Sequence, residues 1–307
     1  MIVTLAGGVG AARFLEGLIQ VVPQRELTVI GNVGDDMEVY GLHVSPDLDI
    51  VAYTLAGIVD PAKGWGIRND TFSFLSALRR YGYETWFNIG DRDLATHTFR
   101  TDQLRNGRRL SEVTATIVKR LGLRFHLLPA TDDDFQTYVI CHGTRMHFQE
   151  YMVKLQTKPR VQRISFLGAK SAKPADGVLR SIREARGIII CPSNPIVSIG
   201  AILNVPRVRS ALCNTASKIV GISPIVRGKT IKGPADKLMK TFGFEPSAVG
   251  VAQVYRDFLD TLILDKQDNL LAKEVEDLGM RAVTTNTIMT GLEDKIRLAR
   301  TAMREFS

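Results

Sequence analysis

Apolar residues in this chain occur mostly in short runs that end at glycine, asparagine or proline. The first run, Ile2 to Ala6, is followed by a glycine-rich turn and then by a helical pattern from Ala11 to about Val21. A second run covers Leu27 to Gly31. This order of strand, turn, helix and strand predicts a βαβ unit, in which helices cover a parallel sheet.

Three later apolar runs repeat the theme, each before a turn and a helical pattern: Gly187 to Cys191, Lys218 to Val226 and Thr261 to Leu264. We therefore expect the two ends of the chain, residues 1–45 and 170–307, to build one α/β core. That core is predicted to be Rossmann-like and doubly wound, with a mostly parallel sheet.

Residues 46–169 follow a different pattern. Helical periodicity covers 47–55, 71–81, 95–104 and 111–121, whereas residues 124–166 alternate between apolar and polar positions. This interval predicts an insertion made of helices and a small β region. No repeat or flexible linker is evident, so we expect one unit in which the insertion is built onto the core.

Composition and charge narrow the class of protein. A chain of 307 residues with 45% hydrophobic residues can bury a large core. The net charge of +8 suits polyanionic ligands such as nucleotides, but acidic residues lie between the basic ones, so no nucleic-acid-binding stripe is evident. Three cysteines without CxxC spacing suggest neither a disulfide framework nor a zinc site. Without a signal peptide or a membrane-length apolar run, a soluble, cytoplasmic protein is expected.

Gly7, Gly8 and Gly10 follow the first predicted strand and open the first helix. Backbone amides at such a turn can point at an anion, and the helix N-terminus adds partial positive charge. The loop is not a dinucleotide fingerprint, because Arg13 stands in place of the third glycine, and it lacks the GK[ST] of a P-loop. A phosphate cradle and a tight strand-to-helix turn both stay open.

Four aspartates lie near this loop in the predicted fold. Asp35 and Asp36 follow the second strand, together with Asn32, and Asp47 and Asp49 begin a predicted helix. A single aspartate at such a place is best explained as a helix cap or a solvated turn. Four carboxylates beside a phosphate-binding loop instead favour oxygen ligands for Mg2+ in phosphoryl transfer.

Polar segments also precede helices in the insertion. Trp65 lies between two glycines and could stack on a flat ring, although a lone tryptophan is more often part of the core. In the segment Gly90 to His97, Asp93 is expected to cap a helix, and Arg92 and His97 could face a ligand. A hydrogen-bonded histidine and an arginine paired with an aspartate are the simpler interpretations.

Ser193 and Asn194 stand between two prolines after a buried run. Hydroxyl and amide groups on such a restricted backbone favour ligand binding over a purely structural turn. His147 and Gln149 share one face of a predicted strand, where a core or hydrogen-bonding role is expected.

Taken in order, these segments resemble the 2-phospho-L-lactate transferase family over essentially the whole chain. The segments that carry the resemblance are Ala6 to Leu15, Asn32 to Asp36, Ser45 to Asp49, Gly64 to Thr71, Gly90 to His97, His147 to Gln149, Pro192 to Gly200 and Gly250 to Asp260. The resemblance implies a Rossmann-like homodimer that acts in coenzyme F-420 biosynthesis. The ribityl hydroxyl of the deazaflavin Fo (7,8-didemethyl-8-hydroxy-5-deazariboflavin) would attack a lactyl- or enolpyruvyl-diphosphoguanosine donor, and GMP would leave.

The resemblance also implies roles for individual residues. It assigns the guanine nucleotide to Gly7, Gly8, Gly10, Ser193 and Asn194, and Asn32 is a further candidate for ligand binding. Magnesium would be held by some of Asp35, Asp36, Asp47 and Asp49, and the candidates for activating the Fo hydroxyl are Asp47 and Asp49. Fo itself would contact Asp49 and Asn88, the last at a position where relatives often carry lysine. We expect the insertion to form the Fo pocket, with Trp65, Arg92 and His97 as further candidates.

Two other classes of protein stay open. A bacterial cell-shape regulator family shares the glycine loop but binds nucleotide sugars, and a non-catalytic nucleotide sensor would bind without turnover. The segments around Trp65 and from Gly90 to His97 favour the transferase. Phospholactyl, phosphoenolpyruvyl and phosphoglyceryl donors differ by only a few atoms, so the sequence does not choose among them.

Overall fold

The computed structural model describes residues 1–306, and residue 307, the last of the predicted core segment 170–307, lies outside the described residues. The strands are β1 (Ile2–Ala6), β2 (Leu27–Gly31), β3 (Met37–Val39), β4 (Leu42–Val44), β5 (His126–Pro129), β6 (Gln136–Cys141), β7 (Thr144–His147), β8 (Val161–Leu167), β9 (Gly187–Ile190), β10 (Ile219–Ile222), β11 (Ile225–Val226), β12 (Lys229–Thr230), β13 (Thr261–Asp265) and β14 (Arg281–Thr285).

The α-helices are α1 (Gly8–Leu18), α2 (Pro46–Leu55), α3 (Ser73–Arg80), α4 (Asp93–Arg105), α5 (Leu110–Arg120), α6 (Val178–Glu184), α7 (Ile199–Asn204), α8 (Val208–Cys213), α9 (Ala235–Thr241), α10 (Ala248–Val254), α11 (Ala272–Asp277) and α12 (Leu292–Arg304). Short 3-10 segments cover Gln24–Glu26 and Lys266–Leu271, and a π-helical turn covers Glu150–Lys154. Among residues 1–306, none of the helices has the length and apolar character that crossing a membrane requires.

A seven-stranded sheet forms the centre of the molecule, in the order β14-β13-β10-β9-β1-β2-β5. All neighbouring strands in it are parallel. Every residue of β1, β9 and β13 is buried, which explains why these strands read as continuous apolar runs. The predicted Rossmann-like α/β class is confirmed.

The direction in which strands are added reverses next to β1. From β1 the chain adds β2 and β5 on one side, and β9, β10, β13 and β14 follow on the other side. The carboxyl ends of β1 and β9 therefore flank the switch point, where open α/β sheets bind their ligands.

The insertion contributes one strand to this central sheet. β5 lies within residues 46–169 but pairs in parallel with β2, from Thr28 to Gly31. The sequence pattern predicts a sheet built by the two ends of the chain, and this prediction does not include β5. β5 is an edge strand with exposed positions, so its sequence lacks the continuous apolar run of the central strands. The other strands of that region, β7, β6 and β8, form the expected separate antiparallel sheet.

Candidate functional site

The glycine turn after β1 packs directly on the turn after β9. Gly8 adopts a φ of +71°, a left-handed conformation that costs glycine little. A Cβ on Gly7 would lie 2.7 Å from Ser198 Cβ, and one on Gly10 would lie 2.3 Å from the Pro192 carbonyl oxygen. The turns after β1 and β9 pack so closely at the switch point that a side chain at residue 7 or 10 would clash. Packing alone therefore explains why glycine occupies both positions.

Several polar groups of the two turns already have protein partners. Gly7 N donates to Ser193 Oγ at 3.3 Å, and the backbone amide of Gly8 lies close enough to Asp47 to lower the pKa of its carboxyl. Asn194 Oδ1 shapes its own turn by accepting from the backbone amides of residues 196 and 197 at 2.9 and 3.3 Å. Since the first amides of a helix lack intrahelical acceptors, those of Val9 and Gly10 are the ones placed to meet an anion.

Asp35, Asp36 and Asp47 form a buried group next to the glycine turn, which we call the acidic cluster. Asn32, also buried, joins two of its members, because its Nδ2 donates to Asp35 Oδ1 at 3.1 Å and to Asp47 Oδ2 at 2.8 Å. Gln149 Nε2 donates to the other oxygen of Asp35 at 2.6 Å. Amide donors therefore hold the Asp35 carboxylate on both oxygens.

The acidic cluster carries more negative charge, when ionised, than its surroundings neutralise. Burial raises the pKa of all three carboxyls, that of Asp47 to about 7, and for Asp35 the nearby Asp47 adds to the effect. No Lys, Arg or His of residues 1–306 forms an ion pair with Asp35 or Asp47. Asp36 Oδ2 lies 3.3 Å from His43 Nε2, whereas its Oδ1 is buried without a hydrogen-bond partner. Protons or a bound cation must compensate such charge.

The chemistry of these side chains suits magnesium. Across the part of the chain that the structure describes, no three His, Cys, Asp or Glu side chains are arranged to hold a metal ion. Magnesium sites that also bind phosphate commonly use one or two protein carboxylates, and water and phosphate oxygens occupy the other positions. The unpartnered Oδ1 of Asp36 and the neighbouring Asp35 fit a partial site of this kind.

Asp49 belongs to a different set of contacts, although it lies only two residues after Asp47. Arg100 donates to both of its carboxylate oxygens, from Nη1 to Oδ2 at 3.0 Å and from Nη2 to Oδ1. The Arg100 side chain is only 1% exposed. The structure thus separates Asp49 from the acidic cluster, with which the sequence pattern had grouped it.

The Asp49–Arg100 pair continues into a buried polar network between α2 and α4. Arg100 Nη1 donates to His97 Nδ1 at 3.3 Å, and His97 Nε2 lies 3.3 Å from Asp93 Oδ1. Tyr53 OH donates to the same oxygen of Asp93 at 2.7 Å. Only the Nδ1 side of the His97 ring is hydrogen-bonded, because its buried Nε2 has no hydrogen-bond partner within residues 1–306. Sequence reasoning missed Arg100, although Asp93, His97 and Arg100 share one face of α4.

Asp93 does not cap α4 as expected. Its carboxylate points into the network, and Asp70 accepts hydrogen bonds from the backbone amides of Arg92 and Asp93 at 2.7 and 3.1 Å instead. Burial alone raises the pKa of Asp93, but His97 and the Tyr53 hydroxyl outweigh it, and the net pKa is below its usual range.

Three of the residues predicted to contact Fo, Trp65, Asn88 and Arg92, are exposed, whereas Asp49 is buried in α2. A Cβ built on Gly64 would lie 3.8 Å from Val9 Cγ1, so the loop that carries Trp65 borders the start of α1. Trp65 is 37% exposed. Arg92 Nη1 donates to the carbonyl oxygen of Arg68 at 3.3 Å, which links the Trp65 loop to the start of α4. Asn88 is exposed on the segment before α4.

The small antiparallel sheet also reaches the acidic cluster. His147 Nε2 lies 3.2 Å from the Asp36 carbonyl oxygen, and its Nδ1 accepts from the Gln149 backbone amide at 3.1 Å. Burial lowers the pKa of His147 to about 4, so the ring is neutral and donates from Nε2. The hydrogen-bonding role expected for His147 and Gln149 is the one observed.

The sequence matches the family model described as 2-phospho-L-lactate transferase CofD over residues 2–300. The chain belongs to this family. The phosphoenolpyruvate transferase of Kitasatospora aureofaciens is 44% identical over 309 residues, covering 98% of this chain and 96% of that protein. The 2-phospho-L-lactate transferase of Methanosarcina mazei is 36% identical over 304 residues, covering 99% of this chain and 100% of that protein.

A solved structure of a Bacillus halodurans protein described as a member of the upf0052 family has the same fold. It aligns with a TM-score of 0.66 at 14% identity, covering 98% of each chain. At this identity the likeness concerns the fold alone.

In this member of the CofD family, the structure brings most of the predicted site residues to one edge of the sheet. The residues that meet around the switch point are Gly7, Gly8, Gly10, Asn32, Asp35, Asp36, Asp47, Ser193 and Asn194. Trp65 and Arg92 lie on loops linked to this edge, and Asp49 lies in the network between α2 and α4.

Proposed function

We propose that the chain transfers a phosphoenolpyruvyl or 2-phospholactyl group from a diphosphoguanosine donor to the deazaflavin Fo in coenzyme F-420 biosynthesis, with release of GMP. The family match and the names of the relatives support the type of group transferred. The observation that carries the proposal is the acidic cluster, whose charge lacks a basic partner at Asp35 and Asp47, beside a glycine turn at the switch point.

Of the two groups, we propose that the phosphoenolpyruvyl group is the natural one. Four relatives that are 42% to 44% identical are named phosphoenolpyruvate transferases. Two Methanosarcina proteins named 2-phospho-L-lactate transferases are 36% and 38% identical.

In this proposal the nucleotide lies across the turns after β1 and β9. The start of α1 directs the amides of Val9 and Gly10 and a partial positive charge toward the donor phosphates. Ser193 and Asn194 border the same edge, where the Asn194 side-chain nitrogen can donate to the ligand. Phosphoryl transfer depends mainly on positioning and charge stabilisation, and these groups provide both.

Asp35 and Asp36 would hold magnesium, which neutralises charge on phosphate oxygens when it is bound. We assign proton transfer to Asp47, whose carboxylate lies against Gly7 and Gly8 where the donor phosphates would lie. In the metal-free protein, burial raises the pKa of Asp47, which makes its carboxylate a stronger base than an ordinary aspartate.

The insertion would supply the Fo pocket. Trp65 offers a ring for stacking on a loop that borders the start of α1, and the exposed Arg92 and Asn88 offer hydrogen bonds at the start of α4 and just before it. The homodimer that the resemblance implies is part of the same proposal, and light scattering of the purified protein tests it.

The decisive experiment supplies purified protein with Fo, magnesium and one of three synthetic donors, which carry an enolpyruvyl, lactyl or glyceryl group. Mass spectrometry should detect the dehydro form of F-420-0 and GMP with the enolpyruvyl donor, at the highest rate of the three. An Asp47→Asn variant serves as the control for protein-dependent turnover. Nucleotide binding without product from any donor would favour the non-catalytic, nucleotide-binding alternative.

A further inference from the structure

Arg100 is a buried arginine whose hydrogen bonds all lie within the network between α2 and α4, although its charge also lowers the pKa of Asp36 in the acidic cluster. Its guanidinium donates to both oxygens of Asp49 and to His97 Nδ1, while its Nε is buried without a hydrogen-bond partner. A bidentate arginine fixes both the position and the orientation of a carboxylate. Apolar side chains of similar volume often stabilise a core as well as a buried ion pair does. Stability alone therefore does not explain this pair.

The position of the pair in the fold indicates what it holds together. Asp49 lies in the first turn of α2, the same turn that presents Asp47 to the glycine turn. Arg100 lies in α4, the helix that follows the exposed residues Asn88 and Arg92. The ion pair thus ties the helix that carries Asp47 to the helix that follows the proposed acceptor loop.

We propose that Arg100 is a positioning residue for the acceptor: it orients the Asp49 carboxylate and fixes the first turn of α2 relative to the loop before α4. This inference rests on the proposed function, because it assigns Fo to that loop. The nucleotide turns after β1 and β9 make no hydrogen bond to Arg100 within residues 1–306. Loss of Arg100 should therefore affect Fo and leave guanine nucleotide binding nearly unchanged.

Steady-state transfer kinetics with Arg100→Met test this separation, with GDP affinity measured by calorimetry on the same preparation. We expect kcat/KM for Fo to fall by about a hundredfold, while the Kd for GDP stays within about threefold. Arg100→Lys should recover part of the loss, since the ammonium keeps the charge but not the bidentate geometry. Arg105→Met is the matched control, because Arg105 on the same helix is exposed and donates only to the Gly41 carbonyl oxygen.

If Arg100→Met does not fold, the double variant Asp49→Asn with Arg100→Gln replaces the ion pair by a neutral hydrogen-bonded pair and is measured in the same way. Wild-type kinetics with Fo in a folded Arg100 variant would overturn the inference. So would a parallel loss of GDP affinity, Fo kinetics and thermal stability, since that is the result of a purely structural residue. If the wild-type protein transfers nothing to Fo, the proposed function fails first, and the inference fails with it.

Discussion

Replacing Asp47 by asparagine should stabilise the magnesium-free protein while removing most of its activity. Burial raises the pKa of Asp47 from an ordinary 3.8 to about 7. At neutral pH, ionising this carboxyl therefore costs more free energy in the folded state than in the unfolded state. This shift corresponds to a penalty on the order of 4 kcal/mol near neutral pH. Asparagine removes the charge and keeps one oxygen that can accept from Asn32, so we expect a gain of about 1 to 4 kcal/mol.

The sign of this effect depends on pH in a defined way. A carboxyl whose pKa is raised by folding binds its proton more tightly in the folded state, so its contribution to stability is full below the unfolded pKa of 3.8 and is lost as pH rises toward about 7. The advantage of Asp47→Asn should therefore be small in mild acid and largest at neutral pH and above.

Asp49→Asn is the matched control, two residues away on the same helix. That substitution leaves the charge of Arg100 without its partner in the interior, which should cost about 3 to 5 kcal/mol of unfolding free energy. Urea denaturation of both variants in excess chelator, in mild acid and at neutral pH, measures the two effects. Destabilisation by Asp47→Asn at neutral pH, or a gain that does not change with pH, would refute the electrostatic argument.

Three further predictions follow from the same geometry. Excess chelator should abolish transfer and added magnesium should restore it, so full turnover in chelator contradicts a magnesium requirement. Gly10→Ala should cost about 1 to 3 kcal/mol of stability, because its Cβ would lie 2.3 Å from the Pro192 carbonyl oxygen. Gly291→Ala, which meets open space, should lose less, about 1 kcal/mol or below, from its position as the N-cap of α12. The double variant Ser193→Ala with Asn194→Ala should weaken GDP binding about tenfold in calorimetry, and unchanged affinity would mean that this turn is structural.

Sequence patterns predict the central strands better than the edges of the sheet. β1, β2 and β9 are buried on both faces, so their residues form continuous apolar runs that are visible without a structure. β5 and β14 lie at the two edges and have exposed positions, which removes that signal. Whether β5 and β14 belong to the sheet depends on pairing with strands that are distant in the sequence, and the local pattern of apolar residues carries no information about that pairing.

The candidate site was predictable where it depends on strand ends and less so where it depends on distant partners. Parallel strands bring the turns after β1, β2 and β9 to one edge, which is why Gly7, Asn32 and Ser193 meet there. Arg100 and Gln149 are separated by long stretches of chain from the aspartates that they contact. No pattern within either segment specifies those contacts.

The first turn of α2 explains why four aspartates did not form one cluster. Successive helical residues are rotated by about 100°, so Asp47 and Asp49 project on nearly opposite sides of the axis. One side meets the glycine turn and Asn32, where Asp47 finds hydrogen bonds but no cation, and the other meets Arg100, which neutralises Asp49. Only the side of Asp47 has charge left to accept a proton or attract a cation. For that reason we assign the chemistry to Asp47 with its neighbours in the acidic cluster, and orientation of the acceptor to Asp49 and Arg100.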